Sequence, residues 1–63
     1  MSLKDYRTAA HLSQRQLADA ANTSIKSVQA YEQGAKDINK AQALTVFRLA
    51  SALGCRMEDL IHD

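Results

Sequence analysis

What this chain lacks narrows the reading first. It has no proline and no tryptophan, two glycines, one cysteine and only 5% aromatic residues among 63 positions. Proline and glycine interrupt helices most strongly, so their scarcity, with Ala, Leu, Gln, Lys and Glu frequent, favours helix throughout. No run alternates Val, Ile, Thr and aromatic residues, which excludes a strand. The lone Cys55 excludes an internal disulfide and fits a reducing, cytoplasmic setting. No stretch nears the roughly 20 apolar residues of a membrane span. The opening MSLKDYR also lacks the apolar core of a signal peptide. Charge of either sign is not in excess: 8 Lys and Arg stand against 7 Asp and Glu, a net +1. A nucleic-acid partner is compatible with that balance but is not argued by it, so binding has to rest on charge placement.

Catalytic and metal chemistry is equally thinly provided for. His11 and His62 are isolated, and no Cys/His spacing supports zinc. Cys55 reads as a small apolar residue, with no histidine or basic cluster beside it. Glu58 and Asp59 are adjacent on an expected helix, point in different directions and make no acid/base pair. No catalytic residue, cofactor or metal site can be named, and a chain this short offers little room for a pocket; the expectation is a protein that is not an enzyme.

What is present is a helical core. The apolar fraction is 46%, and 63 residues form one domain, 1–63, without repeat, linker or low-complexity tail. Such a chain buries only about 60% of its unfolded surface and sits near the lower limit for independent folding. Five helices are expected. The first runs from about Ser2 to Ala10, with Ser2 as cap and Leu3, Tyr6 and Ala10 on one face. The second follows Ser13, paired with Gln16 as in a capping box, and ends near Ala21. The third starts after Ser24 and stops at Gly34, a residue suited to the left-handed position that closes a helix. A loop from Ala35 to Asn39 then pins Ile38 in the core. Asn39 is expected to cap a fourth helix from about Lys40 to Leu53, with Ala43, Val46, Phe47, Ala50 and Leu53 as its apolar stripe and Gly54 closing it. A short last helix, about Met57 to Ile61, turns Leu60 inward and carries Glu58 and Asp59 where the macrodipole favours them.

The segment Leu12–Gly34, LSQRQLADAANTSIKSVQAYEQG, is the most informative. Leu17, Ala18 and Ala21 share one helical face, Val28 and Tyr31 another. Asn22-Thr23-Ser24 between them supplies a residue that tolerates left-handed backbone and a cap for the next helix. Two helices joined this tightly form a helix-turn-helix, whose second helix can enter a DNA major groove.

Here the chain resembles the Cro and phage-repressor type of helix-turn-helix domain, the XRE family. The resemblance is carried by LSQRQLA, by the spacing from Ser24 through Val28 to Glu32-Gln33-Gly34, and by LASALG followed by MEDLI, and it runs from about Leu3 to Ile61. It implies an all-α, five-helix, lambda-repressor-like domain with the helix-turn-helix in helices 2 and 3. It also implies double-stranded operator DNA as partner and binding as a homodimer. Carried over, Gln14 matches the residue that opens helix 2 and meets the sugar-phosphate backbone. Ser24, Ile25, Lys26 and Ser27 match the leading end of the recognition helix, and Ala30 another base-facing position. Gln33, Lys36 and Lys40 fall at or near phosphate-contacting positions. Arg7 and Glu32 match a structural ion pair between helices 1 and 3. Departures are Asn22 and His11, where Gly is common, and Ile25 and Ala30, apolar where relatives carry Gln, Arg or Ser. Apolar groups read a thymine methyl but cannot bond bidentately to purines.

The expected function is thus a sequence-specific, repressor-like transcriptional regulator with residues 24–33 in the groove. Gln29 shares the face of Lys26 and joins the DNA-contacting set; free N–H groups at the start of helix 2 suit a phosphate near Gln14. Each of these polar residues also reads as an ordinary solvated side chain, and Val28 as plain core. Met57 and Ile61 are the expected dimer surface. The alternative is a protein-interaction module, an antitoxin half or partner-binding adaptor, which near-neutral charge and apolar Ile25 and Ala30 would suit. With no sensing domain of its own, regulation falls to concentration, proteolysis or a separate regulatory protein.

Overall fold

Each early helix begins where a local side chain replaces the partner its first N–H groups lack. The computed structural model describes residues 2–61, so His62 lies outside the described residues. Helix α1 spans Leu3–Ala9, with the Ser2 hydroxyl accepting from the Asp5 N–H and the Asp5 carboxylate accepting from the Ser2 N–H at 2.9 Å. Helix α2 spans Gln14–Ala20 and repeats the device: the Ser13 hydroxyl accepts from the Gln16 N–H at 3.0 Å, and the Gln16 carbonyl accepts from the Ser13 N–H at 2.8 Å. Helix α3 spans Ile25–Gln33 behind Ser24, whose hydroxyl accepts from the Ser27 N–H. Such a cap stabilises a helix by about 1 kcal/mol.

The helices also stop locally. Gly34 and Gly54 take φ of 80° and 70°, and His11 and Asn22 reach the same left-handed region at 60° and 52° without being glycine. That region costs an L-residue with a Cβ roughly 1–2 kcal/mol, and Asn reaches it more readily than most.

Beyond Gly34 the chain departs from expectation. Asp37, not Asn39, is the capping residue; its carboxylate accepts from the Asn39 N–H, and Ile38–Lys40 is a single 3₁₀ turn. Helix α4 therefore begins only at Ala43, after an extended Gln42, and runs to Leu53. Ile38 does pack against the core. Helix α5, Met57–Leu60, starts behind Arg56, whose N–H is accepted by the Asp59 carboxylate. Ile61 is already extended.

The core draws on every helix: Leu3 from α1, Leu17 and Ala18 from α2, Val28 from α3, Val46, Leu49 and Ala50 from α4, Leu60 from α5, with Ala21 at the turn. Helix α2 is central, packing on α3 and α4, while α1 packs on α3 and α5 on α4. The stripe expected on α4 is rotated. Leu49 is fully buried, whereas Phe47 is 55% and Leu44 54% exposed; Ala43 also faces solvent. Both registers place apolar residues three and four apart, and packing against α2 and α5 selects the one through Val46, Leu49 and Ala50. Cys55 is half-buried against this core, and burial, with the nearby Asp59 charge, pushes its thiol up and away from reactivity. The result is an all-α domain of five helices about 26 × 21 × 19 Å, with no strand among the described residues.

Candidate functional site

The turn from Ala21 to Ser24 sets α3 against α2. Ala21 is buried, Asn22 takes the left-handed corner, the Thr23 N–H closes back on the Ala18 carbonyl at 2.9 Å, and Ser24 caps the second helix. Val28, fully buried, fixes the rotation of α3 about its own axis. Ile25, 36% exposed, and the exposed Lys26 then fall on the outer face. Gln29 and Ala30 are half-buried beside them. Ser24 and Ser27 are joined hydroxyl to hydroxyl at 2.9 Å, so the leading end of α3 is internally tied.

Behind this face lies a charged network. Arg7 of α1 donates from Nε to Glu32 Oε2 at 2.6 Å and from a terminal nitrogen to Oε1 at 3.1 Å, and its other terminal nitrogen bonds the Leu12 carbonyl at 2.9 Å. The side chains are only 14% and 4% exposed. Gln14 of α2 donates to Glu32 Oε1 at 3.1 Å and accepts from the Gln29 amide at 3.3 Å. Burial pushes the Glu32 carboxyl up. The hydrogen bonds from Arg7 and Gln14, with the Arg7 charge, outweigh it and hold the group below its ordinary value. The same bond raises the Arg7 guanidinium further against its own burial. Among the described residues no buried side-chain polar atom lacks a partner.

The fold thus gathers Gln14, Ser24, Ile25, Lys26, Ser27, Gln29 and Ala30 around the α2–α3 pair, with Arg7 and Glu32 beneath. Gln33 at the end of α3 and Lys36 and Lys40 beyond it are exposed, Lys36 with its ammonium 6.0 Å from the Tyr31 ring centre and Lys40 in the 3₁₀ turn. Met57 and Ile61 sit on or beside α5, outside this group. Met57 packs against the core and Ile61 is 36% exposed. Arg15, exposed next to Gln14 in the first turn behind Ser13, adds a cation that the family pattern does not single out. Across residues 13–40 the cations are Arg15, Lys26, Lys36 and Lys40. The anions are Asp19, Glu32 and Asp37, and Arg7 neutralises Glu32. The formal balance is four against three, the same net +1 as the whole chain; with Glu32 paired to Arg7, the exposed charges are four against two.

Two short helices across a sharp turn, within five-helix all-α packing, define a lambda-repressor-like helix-turn-helix domain. The family model for helix-turn-helix matches residues 3–60, nearly the whole chain. The chain belongs to that family, in its Cro and phage-repressor form, and its general role is that of a DNA-binding regulator. No curated protein matches it, and no solved structure does. No helix among the described residues is long and apolar enough to cross a membrane, and no group of His, Cys, Asp and Glu among them could hold a metal ion.

Proposed function

We propose that this domain is a sequence-specific, repressor-like transcriptional regulator that lays α3 in the major groove of operator DNA. The observation that carries the reading is the division of α3 by Val28: one face is locked in the core, Lys26 stands on the opposite face, and Ile25 and Gln29 lie at its margin. Ile25 and Ala30 meet thymine methyls, Lys26 and Gln29 meet base edges, and Ser24 and Ser27 sit at the groove entrance. Gln14, Gln33, Lys36 and Lys40, with Arg15, hold phosphates and set the register. Selection of bound sites from a random DNA pool tests this directly. The three cations among these phosphate-holding residues give log K a slope against log salt of about −2.7 per subunit. Lys40→Ala weakens all sequences alike, while Lys26→Ala changes sequence preference. A salt-independent affinity rejects the reading.

One such helix reads only a few base pairs, so a second copy about one helical turn away supplies the remaining specificity. The proposed homodimer uses the apolar side chains exposed outside the reading face, Ile61 with Leu44 and Phe47, Met57 contributing less because it packs inward. The exposed Leu44 and Phe47 also favour a second reading, in which a different protein occupies α4. Sedimentation across concentration, with and without DNA, separates the two: self-association supports the dimer, and a monomer under every condition favours the protein partner.

A further inference from the structure

A carboxylate only accepts hydrogen bonds, and this fixes more than an ion pair. Glu32 Oε2 takes Arg7 Nε, while Oε1 takes both a terminal Arg7 nitrogen and the Gln14 amide. Gln14 therefore has to turn its NH₂ toward Glu32 and its carbonyl away. That carbonyl, in turn, can only be met by a donor, and the donor is the Gln29 NH₂. Reversing either amide would set acceptor against acceptor. The ionised pair between α1 and α3 thus dictates the sense of two successive side-chain amides and ends on the face of α3 beside Ile25 and Lys26.

We infer that Gln29 is the adenine-reading side chain of this domain and that Arg7, Glu32 and Gln14 are positioning residues that fix its amide sense. An amide held this way keeps its second N–H and its carbonyl side by side for a base. That pattern matches adenine, which presents N7 as acceptor and N6 as donor, and mismatches guanine, which presents two acceptors. Gln29 was otherwise an undifferentiated polar contact; the chain from Glu32 gives it a base. The inference rests on α3 being the groove helix.

Two variants near in size test it, each checked for folding by thermal melt. Gln29→Met removes the reading amide. Gln14→Met removes the link but leaves the Arg7–Glu32 pair intact. In free protein, Gln14→Met is expected to shift the Gln29 side-chain amide resonances; unmoved resonances overturn the link. In site selection, the parent protein is expected to prefer adenine over guanine at one position by about 5- to 150-fold, Gln29→Met to abolish that preference, and Gln14→Met to reduce it at that position only. A retained preference in Gln29→Met overturns the assignment of the reader. A full preference in Gln14→Met overturns the positioning role. If the parent protein selects no sequence at all, the groove reading itself has failed, and the inference falls with it.

Discussion

Replacing Glu32 by alanine tests the energetics most sharply. The substitution removes three hydrogen bonds, two from Arg7 and one from Gln14, and leaves a guanidinium that is 14% exposed without its counter-charge. Breaking one side of a buried pair costs about 3–5 kcal/mol, against about 0–1 for an exposed pair. A domain of 63 residues has a total stability of only about 3–9 kcal/mol, from about 0.05–0.15 kcal/mol per residue. Glu32→Ala should therefore lower the melting temperature by about 12 °C or more, at a minimum of about 4 °C per kcal/mol for this size, or prevent folding. Helical circular dichroism followed against temperature measures it. Replacing both partners, Arg7→Met with Glu32→Leu, should recover much of the loss, because it leaves no charge stranded. A fall of less than about 4 °C in Glu32→Ala would put the pair in the exposed class and refute the reasoning. The pair also predicts a direction with pH. Glu32 is held below its ordinary 4.5 in the folded state, so its contribution is complete above that value and is lost as pH falls through the folded one. Acidification below pH 4.5 should consequently cost the parent protein more stability than it costs Glu32→Ala.

Other substitutions separate backbone, core and surface. Gly34 has φ of 80° and nothing within 4 Å of an added Cβ, so Gly34→Ala should lose about 1–2 kcal/mol from backbone strain alone, read as a shifted urea midpoint with unchanged slope. His11→Gly, at φ of 60°, should gain up to about 1 kcal/mol in the same assay; a loss would mean that the His11 side chain stabilises the corner in a way its exposure does not suggest. Leu49→Ala should cost about 2–5 kcal/mol, while Phe47→Ala should stay within about 0.5 in dilute monomer. Equal effects on the melt would contradict the register of α4.

The sequence shows most clearly what local chemistry decides. Ser13 and Gln16 announce the start of α2 because a capping box needs only four consecutive residues. Gly34 and Asn22 announce corners because left-handed backbone is a property of single residues. The start of α4 is not announced in this way: Asn39 is a good cap by residue type, but Asp37 caps only the 3₁₀ turn, and α4 opens behind Gln42 with no side-chain cap at all. The exposure of Phe47 is not legible locally either: periodicity defines an apolar stripe only to within a rotation, and the neighbours α2 and α5 choose it. The link from Glu32 through Gln14 to Gln29 spans 18 and then 15 residues, and no spacing rule reaches that far.

The outward face of α3 is built from two kinds of side chain. Gln29 is bonded to another helix, whereas Ile25 and Lys26 carry no hydrogen bond or ion pair within the described residues. Substitutions at 25 and 26 accordingly change what the surface presents and leave the scaffold as it was; a substitution at 29 disturbs the tie to α2 as well. A helix so divided can change what its outer face presents at two adjacent positions while the third keeps it tied to α2.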